Sequence, residues 1–239
     1  MIEPSDILGL DLGGFRFADD EPLAGQVGVV VAYAIRHRDG VFLFDTGFGF
    51  GNAALDAYYR VDARRIGDAL ADVGLTTSDI TTVANCHLHV DHAGQNGAFP
   101  GVPIYVQPVE WQLAHETEHT ILDWIDAPDT DYQQVAGDHE PIDGITVVAT
   151  PGHTAGHQSL AVRTTAGLVL LTGQAVYSAG EWRGETVARE GRSRAPDPAA
   201  YDRSVDRLRA LDPAIARFAH DRFLWARSAG QNAGPCYPS

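Results

Sequence analysis

Three histidines and an aspartate stand within six consecutive positions of this sequence, in the run H-L-H-V-D-H at residues 87–92. Imidazole nitrogens and carboxylate oxygens are donors that bind zinc, manganese and ferrous iron. In an extended segment, residues two apart point to the same side. We therefore expect His87 and His89 to reach one point, while Asp91 and His92 reach a second point nearby. The pattern predicts a metal site, with zinc as the default ion.

Two further histidines follow stretches that are typical of strands. His153 ends the run P-G-H after residues 145–149, and His220 begins the pair H-D after residues 215–219. The end of a strand is rigid at the backbone and open to a ligand. Their positions make both histidines candidates to join the first cluster.

A second histidine motif competes with the first. Residues 115–119 read H-E-T-E-H, which matches the H-E-x-x-H zinc signature of metalloproteases. That motif needs a third ligand and a helix that lines a cleft. This segment is strongly polar, with Glu110, His115 and Glu118 among its members, and its apolar residues Trp111 and Ala114 fall on another face. We interpret it as a solvated helix end.

Charge excludes several classes of partner. The chain has 239 residues and a net charge of −15, so nucleic acid and anionic membranes would repel it. No apolar run approaches the roughly 18 residues of a membrane helix. The acidic N-terminus lacks the basic start of a signal peptide, which predicts a cytoplasmic protein.

Two missing residue patterns exclude several enzyme classes. All 17 basic residues are arginine, which excludes a Walker P-loop, a protein kinase and a Schiff-base lysine enzyme. The nucleophile elbow G-x-S-x-G is missing as well. The two cysteines, Cys86 and Cys236, are too few for a disulfide framework or a cysteine zinc site. The histidines remain as the chemical groups of interest.

The elements that must position these histidines are strands and helices, which are mixed along the chain. Apolar patterns predict strands at residues 27–35, 41–44, 80–86, 104–106, 145–149, 158–163, 168–171 and 215–219. Helical spacing and capping residues predict helices at residues 62–73, 108–118 and 198–211, the first capped by Asp62 and the last by Asp197. Residues 123–141 are predicted to be irregular, and residues 181–195 to form a surface loop. The mixture indicates two sheets covered by helices.

These motifs together resemble the metallo-β-lactamase superfamily. The matching segments run in the family's order over nearly the whole chain: D-T-G at 45–47, the 87–92 run, T-P-G-H-T at 150–154, T-G-Q-A at 172–175 and A-H-D at 219–221. The resemblance implies an α/β (α+β) fold, an αββα sandwich of two mixed β-sheets flanked by helices, with residues 1–239 forming a single domain. Within the superfamily the chain is most similar to the N-acyl-homoserine lactonase group, because of N-C-H-L-H-V-D-H-A-G at 85–94, G-H-T-A-G-H-Q-S at 152–159 and Tyr177.

The resemblance implies a metal-dependent hydrolase that opens a lactone or related ester. His87, His89 and His153 would hold a first ion; Asp91, His92 and His220 would hold a second. A divalent ion lowers the pKa of water to about 7, which supplies hydroxide to attack the carbonyl. Tyr177 would bind the substrate carbonyl and its developing oxyanion, and Asp91 would pass a proton to the leaving alkoxide. His157 is interpreted as a structural residue.

One position departs from the family pattern. Gln174 stands where the family has an aspartate that bridges two ions. An amide oxygen carries no charge, so we expect one or two zinc ions with a weaker second site, and manganese or iron remain alternatives. The alternative functions are a thioesterase of glyoxalase II type and a catalytically silent protein that binds a metal or another ligand. The expected partner is a small-molecule substrate, and the chain is expected to be a monomer or homodimer.

Overall fold

The computed structural model describes residues 1–21, 23–118, 120–185, 192 and 194–227, and the backbone of 233–235. Its strands are β1 (Ile7–Arg16), β2 (Val27–His37), β3 (Gly40–Phe44), β4 (Asp62–Ala63), β5 (Ile80–Ala84), β6 (Pro103–Val106), β7 (Asp131–Gln134), β8 (His139–Ile142), β9 (Ile145–Ala149), β10 (Gln158–Thr164), β11 (Gly167–Leu171), β12 (Ile215–Arg217), β13 (Phe223–Ala226) and β14 (Ala233–Pro235). Its helices are α1 (Ala53–Tyr59), α2 (Ile66–Asp72), α3 (Val90–Ala93), α4 (Pro108–Glu116), α5 (Leu122–Ile125), α6 (Ala179–Trp182) and α7 (Pro198–Ala210).

These strands form two sheets that divide the chain in sequence. The first sheet has the order β4-β1-β2-β3-β5-β6-β7, and the second has the order β14-β13-β12-β11-β10-β9-β8. Both sheets are mixed. In the first, β3, β5, β6 and β7 pair in parallel while β1, β2 and β3 pair antiparallel. In the second, only the β11–β12 pair is parallel among the described pairings.

The two sheets pack face to face and carry helices on their outer faces. One buried cluster joins Tyr33 and Phe42 of the first sheet to Val147 and Leu160 of the second. A second cluster packs α2 against the outer face of the first sheet, and a third packs α6 and α7 against the outer face of the second. The layers are therefore helix, sheet, sheet, helix, which confirms the predicted αββα sandwich. Because each central strand is buried on both faces, its sequence is nearly continuously apolar.

All eight predicted strands are confirmed to within two residues at each end, but two other predictions were wrong. The helix predicted at 62–73 begins at Ile66, because Asp62 and Ala63 instead pair with Gly14 and Gly13 of β1. Residues 123–141 are not irregular, since they contain most of α5 and all of β7, and β8 begins within them. The strand β1 was not predicted at all.

The N-cap prediction for the last helix is confirmed. The Asp197 carboxylate accepts a hydrogen bond from the Ala200 backbone N–H at the start of α7. Across the described parts of the chain, no helix has the length and apolar character needed to cross a membrane. The cytoplasmic location stays a prediction.

Candidate metal centre

The candidate site lies where five strands of the two sheets end. The loops after β3 and β5 carry Asp45 and the 87–92 run, and the loops after β9, β11 and β12 carry His153, Gln174 and His220. The two sheets come very close here. A Cβ on Gly173 would lie 2.5 Å from Cys86 Cβ, and its φ of +57° lies in the left-handed region. Glycine at this position therefore permits the loops from the two sheets to meet.

One group of donors consists of His87, His89 and His153. Their ligand atoms all lie within 4.8 Å of one another. His153 Nε2 is 3.1 Å from His89 Nδ1, and His87 Nε2 is buried with no hydrogen-bond partner among the described residues. The predicted convergence of His87 and His89 is what the structure shows: their ring centroids are 4.4 Å apart. We call these three residues the three-histidine group.

A second group consists of Asp91, His92 and His220. Its ligand atoms also lie within 4.8 Å of one another. Asp91 Oδ2 is 3.4 Å from His92 Nε2 and 3.7 Å from His220 Nε2. His220 Nδ1 donates to the Val29 carbonyl at 2.8 Å, which leaves the lone pair on Nε2 facing the group. We call these three residues the aspartate group.

Burial and the neighbouring charges set the protonation of both groups. Burial lowers the pKa of His87 and of His153 well below the usual value, so both rings are neutral and can offer a lone pair. Burial alone would raise the pKa of Asp91, but the His92 and His220 rings outweigh it and lower that pKa overall. Burial also lowers the pKa of His220 to about 4. Burial opposes a charge on His92, but the Asp91 and Asp45 carboxylates outweigh it and raise the pKa of His92 well above its usual value. The metal-free site therefore holds the Asp91 carboxylate, a protonated His92 ring, and neutral rings at His87, His153 and His220.

Asp45 connects the first sheet to the aspartate group. Its Oδ1 accepts from the Cys86 backbone N–H at 2.7 Å, and its Oδ2 is 3.0 Å from His92 Nδ1. The Asp45 backbone has φ +69°, an uncommon conformation for a residue other than glycine. A carboxylate that accepts from one ring nitrogen orients the ring and directs the other nitrogen at a ligand. The D-T-G motif thus aims His92 Nε2 at the site.

Gln174 lies beside the aspartate group, and His157 supports the loop that carries it. Gln174 Oε1 is 3.1 Å from His92 Nε2, so this side chain contacts the aspartate group. His157 Nε2 accepts from the Gln174 backbone N–H at 2.9 Å, and its Nδ1 is 2.9 Å from Thr150 Oγ1. Burial lowers the pKa of His157 to about 3. With both ring nitrogens engaged, His157 holds the Gln174 loop in place and has no lone pair left for an ion.

Tyr177 stacks on the ring of His220. The two ring centroids are 4.3 Å apart and the planes are inclined by 21°. The Tyr177 hydroxyl is buried and has no hydrogen-bond partner of normal geometry among the residues described, while the Arg194 guanidinium lies nearby. Burial raises the pKa of Tyr177 above its usual value, so the hydroxyl keeps its proton. It is a hydrogen-bond donor without an acceptor.

Glu110 is a supporting residue that the sequence reasoning missed. The polar composition of the 110–119 segment suggested a solvated helix, but Glu110 is only 1% exposed. Its Oε1 accepts from the Leu88 backbone N–H at 2.9 Å, and its Oε2 accepts from Thr154 Oγ1 at 2.6 Å. One carboxylate therefore ties the His87–His89 segment to the loop of His153. A Cβ on Gly156 would lie 2.4 Å from the Glu110 backbone nitrogen, so this loop packs directly on α4.

The competing H-E-x-x-H motif has a different environment. His115 Nδ1 is 2.8 Å from the Trp111 carbonyl, and its Nε2 is 3.1 Å from Asp126 Oδ1. His115 belongs to none of the candidate ion-binding groups found among the described residues. His119 lies outside the described residues. Since α4 ends at Glu116, His115 sits on its exposed last turn.

Two cavities adjoin the ligand groups. One, of about 270 Å³, is lined by Asp91 and Gln174 together with the aromatic rings of Phe15, Phe48 and Tyr59. The other, of about 540 Å³, lies beside His153 and is lined largely by apolar side chains such as Leu113, Pro151 and Ala200. His89 and Arg194 line both cavities.

The surface loop predicted at 181–195 is only partly borne out by the structure. Its first residues belong to α6, and Trp182 packs into the core cluster beside the second sheet. Arg194 borders the cavities and pairs with Glu21 at 2.9 Å. Residues 186–191 and 193 of this loop lie outside the described part of the chain.

The donor set fits a divalent transition metal. Five imidazoles and one carboxylate meet in a buried space, and the His87 and His220 Nε2 atoms are unpaired within the described ranges. Buried polar atoms are normally hydrogen-bonded, so unpaired atoms that converge on one point indicate a ligand-binding site. Imidazole with carboxylate is a typical zinc coordination.

Sequence comparisons identify proteins that are similar to this chain. The sequence profile of the metallo-beta-lactamase superfamily matches residues 25–220. An N-acyl homoserine lactonase of Bacillus cereus is 40% identical over 162 residues, which cover 62% of this chain and 64% of that protein. The AiiA lactonase of Bacillus thuringiensis subsp. kurstaki is 36% identical over the same length. The chain thus aligns with a little under two thirds of the length of these curated relatives.

Solved structures match over a larger share of the chain. An N-acyl homoserine lactone hydrolase with the product N-hexanoyl-L-homoserine bound at its catalytic metal center has a TM-score of 0.76 and 28% identity, and the match covers 92% of this chain and 94% of that one. A B. thuringiensis AiiA variant with N-decanoyl-L-homoserine bound at its active site also has a TM-score of 0.76, with 29% identity and the same coverage. From its sequence, its fold and this site, the chain belongs to the metallo-β-lactamase superfamily.

Proposed function

We propose that this protein is a metal-dependent hydrolase that opens the lactone ring of N-acyl homoserine lactones. One observation carries the proposal: the three-histidine group and the aspartate group meet beside a buried hydroxyl, that of Tyr177, which has no acceptor of normal geometry within the described residues. The similar lactonases support the choice of substrate class. Zinc is the proposed ion, since imidazole and carboxylate donors suit it.

The ion would be held by the two groups of side chains. His87, His89 and His153 form one set of ligands, and Asp91, His92 and His220 form the other. A divalent ion bound there supplies Lewis acidity and lowers the pKa of water to about 7.

Tyr177 binds the substrate carbonyl. Because burial raises the pKa of Tyr177, the hydroxyl stays protonated at neutral pH and can donate to the carbonyl oxygen. That hydrogen bond strengthens as the oxygen gains negative charge, which stabilises the transition state more than the ground state.

Asp91 moves the proton. Asp91 is ionised at neutral pH, and its carboxylate would take up the proton that the attacking water releases. As the bond between the carbonyl carbon and the ring oxygen breaks, Asp91 returns this proton to the leaving alkoxide. The product is the ring-opened acyl homoserine, and Asp91 is regenerated as a carboxylate.

The cavities suit a substrate with a polar ring and an apolar chain. Asp91 and Gln174 line the smaller cavity beside aromatic rings, and the larger cavity beside His153 is mostly apolar. Apolar walls with a few polar groups are typical of small-molecule sites.

A substrate panel tests the proposal. Zinc-loaded protein is incubated with acyl homoserine lactones, simple esters, thioesters and β-lactams, and ring opening is followed by acid release. We expect lactones to be hydrolysed with the highest kcat/KM, and the His89→Ala variant to be inactive. A higher kcat/KM for thioesters would favour the glyoxalase II type of reaction, and no hydrolysis of any substrate by the zinc-loaded protein would contradict an enzymatic role.

A further inference from the structure

Gln174 lies beside the aspartate group and lines, with His89 and Asp91, one of the cavities at the ligands. Its side chain is buried, with 2% of the residue exposed, and its Oε1 lies 3.1 Å from His92 Nε2. The backbone N–H donates to His157 Nε2, and the preceding residue, Gly173, packs against Cys86. The Gln174 side chain is therefore fixed at the ligands, so its chemistry affects what they bind.

The ligand set carries little negative charge for two ions. Two divalent ions bring four positive charges, and Asp91 is the one acidic side chain among the seven at the site: His87, His89, Asp91, His92, His153, Gln174 and His220. Ions in paired sites are about 3.5 to 4 Å apart, so they repel each other strongly. A carboxylate shared between them would offset that repulsion. An amide has one neutral oxygen, and its other terminal atom is an NH₂ donor that cannot ligate.

We propose that this chain binds two divalent ions with unequal affinities, and that Gln174 sets the difference. Whichever group fills first, the second ion binds against the charge of the first without a bridging anion from the protein. At an effective dielectric constant near 20, one unit charge at contact distance changes an affinity by at least about 100-fold. We therefore expect the second dissociation constant to exceed the first by at least about 100-fold. The inference rests on the ligand set of the proposed function, but not on the substrate.

Zinc titration of four proteins tests the inference. Metal-free wild type, Gln174→Glu, Gln174→Asp and Gln174→Asn are each titrated by calorimetry, after circular dichroism has shown that each is folded. Gln174→Glu adds the charge at constant length, Gln174→Asp adds the charge on a shorter side chain, and Gln174→Asn shortens the side chain without adding charge. Gln174→Asn is therefore the matched control for length.

The expected result separates charge from length. Wild type and Gln174→Asn should each bind one ion tightly and a second weakly. In at least one of the acidic variants, the dissociation constant of the second ion should fall by about tenfold or more. Two ions bound by wild type with equal affinity would overturn the inference. So would a Gln174→Asn variant that tightens the second ion as much as the acidic variants do. If the acidic variants do not fold, bound zinc in wild type is measured after dialysis at graded free zinc; a plateau at one ion supports the inference, and a direct rise to two overturns it.

Lactone hydrolysis measured on the same samples distinguishes this inference from the proposed function. Hydrolysis by a protein with two equally tight sites would overturn the inference about Gln174 alone. Unequal binding without hydrolysis of any lactone would overturn the proposed function alone.

Discussion

Two histidine-rich segments of this chain have similar composition and opposite environments. The 87–92 run follows β5 at the edge where the sheets meet, and its His87 and His92 are fully buried or nearly so. His115 lies on the last turn of α4, with 30% of its side chain exposed. Each ring nitrogen of His115 lies at hydrogen-bond distance from a nearby oxygen atom. In contrast, His87 Nε2 has no hydrogen-bond partner in the part of the chain described. Histidine spacing alone therefore does not make a metal site, and burial beside other unpaired donors is what distinguishes the first segment.

The largest expected effect comes from removing one histidine from each segment. His89→Ala should abolish lactone hydrolysis and reduce bound zinc, because it removes one of the three nitrogens of the three-histidine group. His115→Ala should change neither quantity. Elemental analysis and kcat/KM for both variants provide the measurement. A His115→Ala protein that loses its zinc would show that the H-E-x-x-H motif is the true site.

The next effect concerns the buried hydroxyl of Tyr177, whose ring stacks on His220. Tyr177→Phe should lower kcat by roughly 10- to 1000-fold, the range for loss of one oxyanion donor. The ring that stacks on His220 is retained, so zinc content and the unfolding temperature should stay close to wild type. Steady-state kinetics with zinc analysis make the comparison. An unchanged kcat would mean that Tyr177 is a packing residue.

Helix α4 carries one buried and one exposed glutamate, Glu110 and Glu116, which together test how the ligand loops are positioned. Glu110→Gln leaves an acceptor for the Leu88 N–H but weakens the charge-assisted bond from Thr154, so the two histidine loops lose their common anchor. We expect zinc affinity or kcat to fall by about 10- to 100-fold, the range for residues that orient ligands. Glu116→Gln is the matched control, because Glu116 is exposed and accepts from Gln112 one turn earlier.

Zinc affinity is the readout that a purely structural role of Glu110 would not change. The dissociation constant of the zinc complex is therefore measured beside the free energy of unfolding of the metal-free protein. A loss of stability with unchanged zinc affinity would assign Glu110 to packing alone.

The smallest expected effect is the pH dependence of the free energy of unfolding of the metal-free protein. Burial lowers the pKa of His157 to about 3 and of His220 to about 4, against about 6.5 in an unfolded chain. At pH values between the folded-state pKa of each ring and 6.5, the unfolded state binds more protons than the folded state. The stability that these neutral rings contribute is therefore fully present above pH 6.5 and is lost as the pH falls below it. Each such histidine contributes up to about 1.4 kcal/mol per pH unit.

Unfolding in urea at several pH values between 7 and 5 measures that slope. A His157→Gln variant should show a shallower dependence, because one of the neutral buried rings is removed. If the stability of the metal-free wild type did not fall over this range, the neutral state of His157 and His220 in the folded protein would be contradicted.

Much of the architecture could be predicted because local sequence dictated it. The short runs rich in apolar and β-branched residues at β2, β5, β9 and β11 are typical of buried strands, and Asp197 caps α7 through its own side chain. The errors occurred where tertiary pairing overrode local preference. Asp62 and Ala63 have helical neighbours but pair with β1, and the polar residues 131–134 form a strand because β6 provides a partner. A pattern within one segment carries no information about the segment that will lie beside it.

The sequence by itself determined which residue types were available: the six donors in three motifs, the missing lysine, and glutamine at position 174. The tertiary structure alone decided which of them meet. It sorted the donors into two groups, placed Asp45 behind His92, and turned Glu110 inward to join two loops. The physical reason is that a site of this kind depends on distances between residues up to 133 positions apart in the chain, such as His87 and His220, and only the packing of the two sheets sets those distances.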